Sequence, residues 1–77
     1  MAIPSKTNKG WADIVTGKAK HQLKFLAAKV MLGRLVHAVQ ENPTPANISA
    51  GVDQLHELYV KNAHMPSVQE DMKTIFG

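Results

Sequence analysis

Between Gly17 and Pro43 the chain carries no proline, and wound as a helix at about 100° per residue it places apolar side chains on two sides rather than one. One stripe holds Phe25, Ala28, Leu32, Leu35, Val36 and Val39. The other, roughly opposite, holds Leu23, Leu26, Val30 and the imidazole of His37. This pattern predicts one long helix from about Lys18 to Glu41, with one face for the chain's own core and a second face in want of a cover. Two further helices could in principle cover both faces. That plain alternative is weakened by size, because the last helix is predicted to be about 15 Å long against about 36 Å for the long one.

Length sharpens the argument. A 77-residue chain is one domain, and domains of this size bury only about 60% of the surface that the unfolded chain exposes. Stability is expected to be marginal, and self-association is one of the few remedies. Disulfides are not another, because there is no cysteine. Its absence also excludes thiol catalysis, Cys-ligated zinc and iron–sulfur clusters, and fits a reducing compartment. The opening MAIPSKTNKG leads into no apolar run of signal-peptide length, and Lys29 and Arg34 interrupt the apolar stretches. The expectation is a cytoplasmic protein with no membrane partner.

The net charge of +3 hides an asymmetry. Residues 1–37 carry seven lysine and arginine side chains against the single acid Asp13, whereas residues 38–77 carry Lys61 and Lys73 against five acids. Such a two-ended chain can pair its basic half with the acidic half of another copy, or steer the basic half toward nucleic acid.

Residues 1–10 are polar, contain Pro4 and lack periodicity, so they are read as a mobile basic arm, with residues 11–77 forming a single helical domain. In GWADIVTG, Trp11, Ile14 and Val15 have helical spacing and Gly17 is placed to cap a short helix. The long helix stops ahead of Pro43. Thr44 is then a suitable N-cap and Pro45 suits the first helical position. Ile48, Val52, Leu55 and Tyr59 make the apolar face of the next helix. Pro66 and the box Ser67-x-x-Glu70 open a last one that buries Val68, Met72, Ile75 and Phe76. No alternating strand pattern competes. The fold class is all-α, a small antiparallel helical bundle of three main helices with a short N-terminal one.

Motifs for chemistry fail on spacing. Thr16-Gly17-Lys18 lacks the glycine spacing and the following hydroxyl of a phosphate loop, and His56-Glu57 lacks the second histidine of a zinc-protease helix, since Val60 stands there. Asp53, His56 and Glu57, with His64 beyond, read as a solvated helix flank rather than metal ligands. The serines have no base nearby in sequence. Neither an enzyme nor a cofactor is expected.

Two binding functions remain. The first is a small protein-interaction module that associates, with itself in the first instance, through Leu23, Leu26, Val30, Gly33 and His37, with Trp11 as either core or contact residue. The alternative is a nucleic-acid-binding regulator that uses Lys6, Lys9, Lys20, Lys24 and Arg34. It is disfavoured because these cations do not form one stripe and the few aromatics all sit in apolar patterns.

Overall fold

A computed structural model of the chain describes residues 3–19 and 22–77. It contains four helices, α1 (Lys9–Val15), α2 (Leu26–Glu41), α3 (Pro45–Lys61) and α4 (Pro66–Phe76), and no strand among the described residues. The fold is all-α, as the apolar periodicity predicts.

Helix α1 is short because both ends are capped locally. The Asn8 side chain accepts from the Gly10 N–H at 2.9 Å. At the other end Gly17 has a φ of +79°, the left-handed conformation that a side chain disfavours. The Gly17 and Lys18 N–H groups donate back to the carbonyls of Ile14 and Asp13, a Schellman closure that leaves no path for the helix to continue. Helix α3 starts as its sequence suggests, with Thr44 accepting from the Asn47 N–H and Pro45 at the first turn. The link across Asn42 to Thr44 folds α3 back along α2, so that Met31 near the start of α2 shares a surface depression with Leu58 and Lys61 near the end of α3.

The predicted long helix is shorter than its pattern: α2 begins at Leu26, not at Lys18. Residues 22–25 are not helical, Phe25 has an extended backbone, and the side chains alternate, with Leu23 and Phe25 buried and Gln22 and Lys24 exposed. What holds them is a carboxylate from the far end of the chain. Asp71 on α4, 1% exposed, accepts from the Lys24 N–H at 2.6 Å, the Phe25 N–H at 3.0 Å and the Tyr59 hydroxyl at 2.8 Å. Helix α2 has no side-chain cap of its own and no acid in its first turn, so the Asp71 carboxylate lies just before a positive helix end that lacks a local anion. Tyr59 is buried and bonded to that anion, and burial first, the hydrogen bond second, raise its phenol well above the usual range.

The core gathers around Trp11, Leu55 and Tyr59, all fully buried, with Ile14, Val15, Ala28, Val68 and Met72. Trp11 stands edge-on to His56 at 5.4 Å and tilted to Phe76 at 4.9 Å, and Phe25 stands edge-on to Tyr59 at 5.6 Å. The opening segment, read from sequence as a mobile arm, lies against this core. Ile3 packs on it, the Pro4 carbonyl accepts from both the Trp11 indole N–H and His56 Nε2, and Lys6 pairs with Asp53 at 3.1 Å. One local expectation fails outright. Met65, not Ser67, occupies the N-cap of α4 without any side-chain cap bond, so the predicted capping box is not formed; Pro66 already sets the first helical position.

Candidate functional site

Helix α2 turns Ala28, Met31, Leu32, Leu35 and Val39 inward, which leaves Leu26, Val30, Gly33 and His37 on the outward side at spacings of four, three and four residues. Leu26 is 70% exposed and Val30 59%, one turn apart on the same face. Helices α3 and α4 therefore do not cover the second stripe. Single exposed aliphatic residues are ordinary on protein surfaces; two stacked on one face beside further apolar surface are more informative.

That further surface is a shallow open groove on one flank of the stripe, lined by Leu23, Leu32, Gly33 and Val36 with Gln22 and Lys29 at its rim. One wall is the non-helical segment that Asp71 pins. The other is α2 itself. At Gly33 a Cβ would meet nothing within 4 Å, so the middle of the stripe is open to solvent. His37 pairs loosely with Glu41 at 3.6 Å, and Arg34 and Lys29, both exposed, border the stripe on its two sides.

The residues chosen from sequence are thus divided. Leu26, Val30, Gly33 and His37 share one exposed face. Leu23 does not belong with them as an anchor, because the non-helical lead-in turns it into the core, where it is 6% exposed and only edges the groove. Trp11 is core and offers no contact surface, being fully buried with its N–H satisfied by Pro4. Leu32 and Val36, assigned by the helical wheel to the inner stripe, are the groove residues that the sequence missed. They are half-buried because α2 starts eight residues later than predicted and its flank is left partly open.

No known family model, curated protein or solved structure matches this chain.

The cations of the alternative reading are scattered. Lys6 is engaged by Asp53, Lys9 opens α1, Lys24 lies exposed just before α2, and Arg34 borders the stripe. Lys20 lies outside the described residues. On α3, Asp53 pairs with Lys6, Glu57 pairs with Lys61 at 3.1 Å, and His56 donates to Pro4. No helix among the described residues is long and apolar enough to cross a membrane.

Proposed function

We propose that this protein is a small interaction module that binds another protein, a second copy of itself in the first instance, through the outward face of α2. The observation that carries the reading is the exposure of Leu26 and Val30 on adjacent turns of one face, next to an apolar groove. Burying most of a leucine or valine side chain contributes about 1–2 kcal/mol. Two copies of each offset only part of the entropic cost of association. A Kd in the micromolar to millimolar range, about −8 to −4 kcal/mol, therefore requires the partner to cover the adjoining groove residues Leu32 and Val36 as well.

The test is solution mass by light scattering from about 0.5 μM to 5 mM, a span that brackets such a Kd. The wild-type mass should rise toward that of a dimer. Leu26→Asp combined with Val30→Asp should remain monomeric with its far-ultraviolet circular dichroism unchanged, since both side chains are already in water. A wild-type protein that stays monomeric throughout would refute self-association.

A further inference from the structure

No further inference is drawn: the strongest candidate, the outward face of α2 at Leu26 and Val30 with its adjoining groove, is flanked by Lys29 and Arg34 and open to solvent at Gly33, and nothing in the structure shows what covers it.

Discussion

Replacing Asp71 tests the main tertiary tie of the fold. Its carboxylate, 1% exposed, receives three hydrogen bonds: the Lys24 N–H on one oxygen, the Phe25 N–H and the Tyr59 hydroxyl on the other. Bonds to a buried charge contribute about 1.5–3 kcal/mol each when broken one-sidedly, and each stranded donor carries its own desolvation cost. Relief of carboxylate burial offsets part of that. Asp71→Ala should therefore cost about 4–6 kcal/mol, comparable to the whole stability of a 77-residue domain at about 0.05–0.15 kcal/mol per residue, and leave the chain largely unfolded. Asp71→Asn is the quantitative probe. One amide oxygen cannot serve both backbone N–H groups, and the amide NH2 must face the other donor, so about 2–3 kcal/mol is expected. Urea unfolding followed by circular dichroism and by Trp11 fluorescence measures it, with exposed Glu70→Gln as a neighbour that should change stability by less than about 0.5 kcal/mol. An Asp71→Asn protein as stable as the Glu70→Gln control would show that the carboxylate does not hold the start of α2.

The phenol of Tyr59, the one tyrosine, is raised above its unfolded value of about 10. The folded state thus retains the proton, the stabilisation is complete below about pH 10, and it declines as the pH climbs beyond that. Tyrosinate absorbance near 295 nm should appear together with loss of helicity; ionisation near pH 10 with helicity intact would contradict the burial argument. Gly10→Ala should destabilise by about 1–3 kcal/mol, because the new Cβ would lie 2.5 Å from the Phe76 ring, itself packed on Trp11. Gly17→Ala should cost about 1–2 kcal/mol through its left-handed backbone, read as a lowered urea midpoint with an unchanged slope.

The sequence is legible wherever structure is decided locally. Thr44 with Pro45, Pro66, and Gly17 mark helix boundaries through their own backbone chemistry, and the structure places boundaries there. The outward face of α2 is legible too, because the wheel from Leu26 to His37 is unaffected by where the helix begins. What the wheel conceals is the start of α2. Leu23 and Phe25 fit a helical stripe, yet Gln22, Leu23, Lys24 and Phe25 also alternate polar and apolar, and an extended strand-like segment satisfies that pattern equally. The decision between them is taken by Asp71, 46 and 47 residues away, which composition alone counts as one more surface acid. The placement of residues 3–8 has a related cause. Its tie is the Pro4 carbonyl, a backbone acceptor that no side-chain pattern reports.

The span of the Asp71 tie bears on how the chain folds. Helix pairs such as α2 and α3, joined by a short link, close small loops and form fast, whereas a bond across 46 residues must wait for a large loop to close. The lead-in at residues 22–25 is then expected to set late, after the transition state. Weakening the tie should leave the refolding rate nearly unchanged and accelerate unfolding instead. The wall of the α2 groove is built from this late segment, so displacing it breaks the Asp71 bonds and uncovers Leu23 and Phe25, and the groove keeps its shape for as long as the domain stays folded.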